Sequence, residues 1–208
     1  MKPFTSPLNV VDIDLSPRVL KKKVLGHKII IDTLEYWFGG LRGNTGGNVL
    51  DIGERNMLTE KLENYFNVKI HNTTGDLDVE FNCPDLKYDF VIYSNVIEHQ
   101  FNPLFTLQNI RNVMKDDGVL LIDTPLKPHW ITWPISHFHE FDQYRFNMLM
   151  KRANFIQYYS KYYWKRVSII GLRPLLGSFH TRQIIAAFKK GGDIEHVVIH
   201  WQEFINKT

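Results

Sequence analysis

The sequence predicts an α/β fold, a Rossmann-like three-layer sandwich in which a mostly parallel sheet lies between two layers of helices. Three observations carry this. The short, nearly continuous apolar runs NVLDI, YDFVIYS and VLLID have the character of strands covered on both faces. Segments between them carry apolar residues at helical spacing, with recognisable caps. The resulting alternation of strand and helix is the pattern of a parallel sheet with crossover helices.

Taken in order, residues 18–38 place Val24, Ile31, Leu34 and Phe38 near helical spacing with lysines between, which predicts an amphipathic helix ended by Gly39 and Gly40. The glycine-rich LRGNTGG leads into a strand at Asn48–Ile52. Asn56 caps a helix in which Leu58, Leu62 and Phe66 share one face, and a short strand comes next at Val68–His71, completing a βαβ unit. YDFVIYSNVIEH gives a second buried strand ending near Ser94. A helix starts at Asn102-Pro103, because proline at the first helical position has no N–H to leave unsatisfied, and runs to about Met114. Lys115-Asp116-Asp117-Gly118 predicts a turn, and VLLID a third core strand broken by Thr124-Pro125. Asp142 caps a helix over roughly Gln143–Ala153, FIQYYS and RQIIAAF are the last strands, and DIEHVVIHWQEFI predicts a short amphipathic helix.

A chain of 208 residues, 44% hydrophobic, supports one sizeable core. One domain over 1–208 is expected: an N-terminal helix at 18–38, a ligand-binding core at 47–125, a substrate loop at 126–142, and a C-terminal helix, strands and tail at 143–208. The 25 basic and 22 acidic side chains are spread along the chain, so no basic stripe invites nucleic acid. Cys83 stands alone and excludes an internal disulfide, and MKPFTSPLNV lacks the charged-then-apolar order of a secretion signal, which points to a reducing cytoplasm. The longest apolar run, around KIIIDTLEYWF, is interrupted by Asp32 and Glu35 well short of the roughly 20 residues a membrane span requires.

Ligands of such sheets sit beyond the carboxyl ends of the strands, which selects Asp51–Gly53, Asn72 and the residues just after it, Ser94–His99 and Asp123–His139. The stretch VLDIGERNM opens like a nucleotide-binding turn. It then places Glu54, Arg55, Asn56 and Met57 where a dinucleotide would need further glycines, so that its pyrophosphate could approach the backbone. NAD and nucleotide-sugar chemistry are disfavoured for that reason.

VLDIG, YDFVIYSNVIEHQFNP, KDDGVLLIDTP and HFHEFDQYRFNMLMKRANF, in that order over about residues 47–156, together resemble a class I S-adenosylmethionine-dependent methyltransferase of the small-molecule, type 11-like kind. The family pattern Asp-x-Gly-x-Gly-x-Gly is matched at Asp51 and Gly53, with Arg55 and Met57 at the other glycine positions. The resemblance implies S-adenosylmethionine as cofactor. This cofactor has no phosphate, and its amino-acid end needs one close backbone approach, at Gly53, with Arg55 for the carboxylate and Asp51 or Glu54 for the ammonium. In the family an acidic residue ends the second strand and grips the ribose, and a further helix and edge strand precede a Gly-Asp at the adenine. Here VKIHNTTGDLD passes straight to Gly75-Asp76, so that helix and edge strand are expected to be missing. The ribose position then falls to Asn72 and the adenine position to Asp76 and Leu77, with Asn95 completing the cofactor set.

Glu98 and His99 come directly after a core strand, at the mouth where a methyl acceptor would approach. The loop KPHWITWPISHFHEFDQYRF supplies Trp130, Trp133 and His137 as candidate substrate contacts. Methyl transfer is an in-line displacement that needs positioning, and an oxygen acceptor gains from a base near neutrality, for which His139 is the first candidate and His99 the second. The competing account of His139 is an imidazole packed between Phe138 and Phe141 to anchor the next helix. His129, His137 and His139 with Glu140 do not form a recognised ligand spacing, so no metal is expected. IQYYSKYYWKR reads as strand and interface packing rather than a base-stacking surface, and VSIIGLRPLLGSF as a lid or a homodimer contact. Two functions stand at this point. One is methyl transfer to a small-molecule acceptor at oxygen; the other is a non-catalytic Rossmann-like domain serving as a binding or assembly module.

Overall fold

The computed structural model describes residues 27–35, 47–126, 137–166 and 180–192. Helix α1 occupies residues 27–35. After it come β1 (Val49–Asp51), α2 (Met57–Phe66), β2 (Ile70–Asn72) and β3 (Tyr88–Ser94). A single 3-10 turn at Ile97–His99 precedes α3 (Pro103–Val113), β4 (Met114–Pro125), α4 (Gln143–Arg152), β5 (Phe155–Arg166) and β6 (His180–Lys190). The six strands form one sheet in the order β2-β1-β3-β4-β6-β5. The first four are parallel, and β6 runs antiparallel to both its neighbours.

Alternation along the strands divides the core into two layers. Val49, Phe90, Ile92, Val119, Leu121 and Ile185 face one side, where Ile30 and Leu34 of α1 and Leu58, Leu62 and Phe66 of α2 cover them. Leu50, Val91, Tyr93, Leu120, Ile122 and Ile184 face the other, under Leu107 and Ile110 of α3 and Phe146 and Met150 of α4. The buried face of α1 is therefore carried by Leu34, as expected, and by Ile30 in place of Ile31, which is only partly buried. The run Ile29–Ile31 offers the same side chain at three successive angles, so spacing alone leaves the phase open.

The helix starts are set by local chemistry. Asn56 accepts from the Leu58 N–H at 2.8 Å, Asn102 accepts from the Phe105 N–H with Pro103 first in the helix, and Asp142 accepts from the Arg145 N–H at 2.8 Å. The predicted turn at Lys115–Gly118 lies inside β4. Tyr88 pairs with Met114 and Phe90 with Val119, so two steps on β3 oppose five on β4 and the KDDG residues bulge out of the ladder. A Cβ at Gly118 would come within 3.0 Å of the Tyr88 and Lys115 carbonyl oxygens, so the bulge closes on bare backbone.

Residues 73–87, which join β2 to β3, contain no helix or strand beyond a bridge of Thr74 to Asn82. β2 is thus an outer strand, and the helix and edge strand missing from the sequence are missing from the described fold. β5 closes the opposite edge. Its outer surface exposes Ile156, Tyr158 and Tyr162, with Arg182 3.8 Å over the Tyr162 ring, a strand-packing role for the aromatic and basic run. No helix of the described residues is long and apolar enough to cross a membrane. Val24, Phe38, Gly39 and Gly40, the loop 127–136 with His129, Trp130 and Trp133, the segment 167–179 and the tail helix lie outside the described residues.

Candidate active site

The sheet order reverses around β1 and β3. From β1 the chain steps outward to β2, then returns to β3 on the far side and continues to β4. Such a reversal opens a crevice beyond the carboxyl ends of the strands that flank it, which here end at Asp51 and Ser94. The backbone leaves β1 through Gly53, whose φ of +104° few side-chain-bearing residues adopt. The Gly53 N–H donates to Thr73 Oγ1 at 2.7 Å, and the Ile52 N–H donates to the Ile92 carbonyl at 2.8 Å. The turn is thereby tied to both neighbouring strands. A Cβ at Gly53 would meet only a Val96 methyl, at 3.6 Å, so the space over the glycine is open toward the segment after β3.

Beneath this turn the Asp51 carboxyl is buried, with 2% exposure. Thr59, in the first turn of α2, donates its hydroxyl to Asp51 Oδ2 at 2.6 Å. Asn72 donates its side-chain N–H to the backbone oxygens of Gly53 at 3.1 Å and Asp51 at 3.3 Å. Burial disfavours the charged form and outweighs these bonds, pushing the Asp51 carboxyl up to about 7 from 3.8. The other residues of the first motif turn elsewhere. Arg55 forms an ion pair with Glu63 of α2, whose second oxygen accepts from the Ile70 N–H at 2.9 Å. Hydrogen bonding to Arg55 lowers the Glu63 pKa. Glu54 is exposed, and its carbonyl accepts from the Asn56 side chain at 3.1 Å.

Asp76 opens a tight turn in which Asp76 Oδ1 accepts from the Asp78 N–H at 3.0 Å. Leu77 points its side chain into the core below α3. Its carbonyl accepts from Thr106 Oγ1 at 2.8 Å, Thr106 accepts from Gln100 Nε2 at 2.8 Å, and Gln100 accepts from the Tyr93 hydroxyl. This buried relay fastens the turn to β3 and α3, and burial raises the Tyr93 pKa well above its ordinary value. On the far wall, Asn95 sits at φ +52°. Its backbone N–H donates to the Asp123 carbonyl at 2.7 Å, and its side chain donates to Asp123 Oδ2 at 2.9 Å. Tyr163 of β5 donates to Asp123 Oδ1 at 2.7 Å, so one buried carboxylate joins β3, β4 and β5 at the lip of the crevice.

The 3-10 turn after β3 holds the second group. Glu98 is buried, at 1% exposure, rather than lying on polar surface; its Oε2 accepts from Thr124 Oγ1 at 3.0 Å. The Glu98 carbonyl accepts from the N–H groups of Phe138 at 2.9 Å and His139 at 3.1 Å, which docks the segment 137–139 against the turn. His99 Nε2 stands 3.9 Å from Glu98 Oε1, and the His99 ring meets His137 edge-on at 4.7 Å. His139 stacks on Phe141, with ring centroids 5.5 Å apart, and its Nε2 lies 3.4 Å from the Phe101 carbonyl.

The structure therefore brings Asp51, Gly53 and Asn72 into one cluster and Glu98, His99 and His137 into another, with the His139 backbone bonded to the second. Arg55 is drawn to Glu63, and Trp130 and Trp133 lie outside the described residues. Thr59, Thr73, Thr124 and Tyr163 escape a reading of the sequence. Only Thr59 carries a local signal, standing three residues after the Asn56 cap and donating its hydroxyl to a strand-end carboxyl eight residues earlier.

The sequence matches the methyltransferase-domain family over residues 13–167, well over half of its length. No curated protein matches it by sequence. Among solved structures, the fold is similar to a protein of Bacillus halodurans C-125 described as a methyltransferase (TM-score 0.56, 15% identity, covering 81% of this chain and 98% of that one). It is also similar to the Burkholderia thailandensis 1,6-didemethyltoxoflavin-N1-methyltransferase, solved with bound 1,6-didemethyltoxoflavin and S-adenosylhomocysteine (TM-score 0.51, 14% identity, 92% and 93%). A third is the Haemonchus contortus phosphoethanolamine N-methyltransferase 2 (TM-score 0.56, 13% identity, 80% and 53%). The chain belongs to the methyltransferase-domain family: it is a class I enzyme with S-adenosylmethionine as methyl donor. Of the two functions the sequence left standing, membership favours the enzyme over the non-catalytic module.

Proposed function

We propose that the enzyme methylates a small-molecule acceptor at oxygen, with the cofactor in the crevice between β1 and β3 and the acceptor at the Glu98–His99–His137 cluster. The observation that carries this is the gathering of a buried carboxylate and imidazoles immediately past β3, on the side toward which the space over Gly53 opens. The residues present fit the cofactor. The open space over Gly53 is what a close backbone approach requires, and the buried Asp51 carboxyl is available to an ammonium. Asn72 spends its N–H groups on the protein and leaves its carbonyl oxygen to accept from a ribose hydroxyl. Asp76 and the Leu77 backbone, held by the Thr106 relay, take the adenine. Arg55 reaches a cofactor carboxylate only by leaving Glu63, so Glu54 and Arg55 act at the rim.

When bound, S-adenosylmethionine supplies an electrophilic methyl on a sulfonium. The protein's part is positional. Asn95, fixed through Asp123, shapes the wall between the two clusters. Glu98, His99 and His137 orient the acceptor hydroxyl, with Trp130 and Trp133 as the remaining substrate contacts. His139 takes the acceptor's proton as the oxygen attacks, and the electrons of the broken carbon–sulfur bond stay on sulfur. The single cysteine supports a reducing cytoplasm as its location. The exposed Ile156, Tyr158 and Tyr162 on an edge strand support a homodimer contact. The test is calorimetric titration with S-adenosylhomocysteine of wild type and Gly53→Val. Wild type should bind and the variant should not; no binding by wild type at millimolar ligand would sink the site assignment.

A further inference from the structure

We propose that Glu98, His99 and His137 form a site for one divalent transition-metal cation. Each offers one ligand atom, the three atoms lie within 4.8 Å of one another, and they come from two segments, the 3-10 turn after β3 and the end of the substrate loop. A cation about 2.0–2.2 Å from each ligand needs those atoms roughly 3–4 Å apart, so each need move by only about 1 Å or less. His99 Nε2 already faces Glu98 Oε1 across 3.9 Å, a separation longer than a hydrogen bond and close to that of two atoms sharing a metal. Two imidazoles and one carboxylate suit a transition metal such as zinc rather than magnesium or calcium, which prefer all-oxygen sets.

The surroundings have the features of a prepared site. The carboxylate is 1% exposed while His99 is 22% exposed, so the anionic ligand is seated and the histidine beside it reaches solvent. Thr124 Oγ1 donates to Glu98 Oε2 at 3.0 Å, holding the carboxylate by its second oxygen and leaving Oε1 on the histidine side. The Phe138 and His139 N–H groups bind the Glu98 carbonyl, fixing the approach of His137.

The role of the cation rests on the proposed methyl transfer; its binding does not. Three protein ligands leave positions for an acceptor oxygen, whose hydroxyl a metal makes more acidic. The acceptor's proton would then pass to His139 as its oxygen bonds to the methyl carbon, while the carbon–sulfur bond breaks and its electron pair stays on sulfur.

The experiment uses the full chain without a histidine tag, stripped with chelator and titrated with cobalt(II) while its visible absorption is recorded. One equivalent should bind with the intense bands of a low-coordinate nitrogen–oxygen site, and zinc should displace it. His137→Ala and His99→Ala should each weaken binding by about 100-fold or more, more than the 10–100-fold typical of residues that only support a ligand. Two variants are used so that one poorly folded protein does not decide the result, and melting curves accompany both. Absence of cobalt bands in wild type, or equal affinity in two folded variants, overturns the proposal. S-adenosylhomocysteine binding to the metal-free protein is measured in parallel. Its loss there counts against the cofactor crevice, and its persistence with no cobalt binding counts against the metal alone.

Discussion

Asp51→Asn probes a strongly perturbed group of the proposed cofactor crevice. The Asp51 carboxyl is pushed up to about 7 in the folded protein from 3.8. Between those values the native state keeps a proton that the unfolded chain has lost, so stability falls as pH rises through the window and levels off above it, where both states are ionised. Each unit is worth about 1.36 kcal/mol, so between about pH 5 and about pH 8 wild type should lose roughly 2–3 kcal/mol from this group. Asparagine has the shape of the neutral carboxyl, can still accept from Thr59, and does not titrate. In urea unfolding, the stability of Asp51→Asn relative to wild type should therefore rise by roughly 2–3 kcal/mol from about pH 5 to about pH 8 and then stop rising. A difference that stays constant with pH would mean that Asp51 does not titrate in this window, and would refute the burial argument. Cofactor binding gives a second reading. If the ionised carboxyl accepts from the ammonium, S-adenosylhomocysteine affinity of wild type should drop by up to about tenfold per pH unit below about 7, and that of Asp51→Asn should lose this dependence.

Gly53→Ala should be destabilised by about 1–3 kcal/mol, because φ +104° strains any side chain, and should bind S-adenosylhomocysteine more weakly; unchanged melting would remove the strain. Asn72→Ala should weaken that binding by about 1–2 kcal/mol in calorimetry, and unchanged affinity would move the ribose contact elsewhere. His139→Ala should keep its melting temperature and lower single-turnover rate by about 10²–10⁴-fold, while a lowered melting temperature with rate lost in proportion would mark an anchor stacked on Phe141. Phe146→Ala, at a fully buried position between α4 and the sheet, should cost about 3–5 kcal/mol in urea unfolding; a loss under about 1 kcal/mol would contradict the packing.

Near-neighbour chemistry was legible in the sequence. The caps at Asn56, Asn102-Pro103 and Asp142 are local, and the runs around Leu50 and Val91 are continuous because both strands are covered on both faces. The short path from His71 to Gly75-Asp76 announced the missing helix and edge strand by length alone. Features set by distant partners were not legible. The KDDG bulge exists because Phe90 pairs with Val119 after Tyr88 has paired with Met114. Glu98 looks like a loop residue until Thr124, 26 residues away, receives it. Arg55 looks free to meet a carboxylate until α2 presents Glu63 beside it. The second cluster needed His137, which only the docking of residues 137–139 against the turn brings to His99.

The segment 73–87 has a consequence for how the enzyme handles its cofactor. Leu77 fills the core under α3 while its own backbone forms the proposed adenine contact, so one stretch of chain seals a face of the sheet and, on that proposal, also floors the binding crevice. A helix in that position would hold itself together through its own ladder; this segment relies on Thr106, on Asp78 receiving the Asn102 N–H, and on a bridge to Asn82. Its opening is therefore expected to be among the cheaper local excursions of the molecule, and a bound ligand would add its binding energy to closing it. Amide protons of residues 73–87 should exchange readily in the apoenzyme and slow markedly once S-adenosylhomocysteine is bound, making this segment a reporter of occupancy as well as part of the wall.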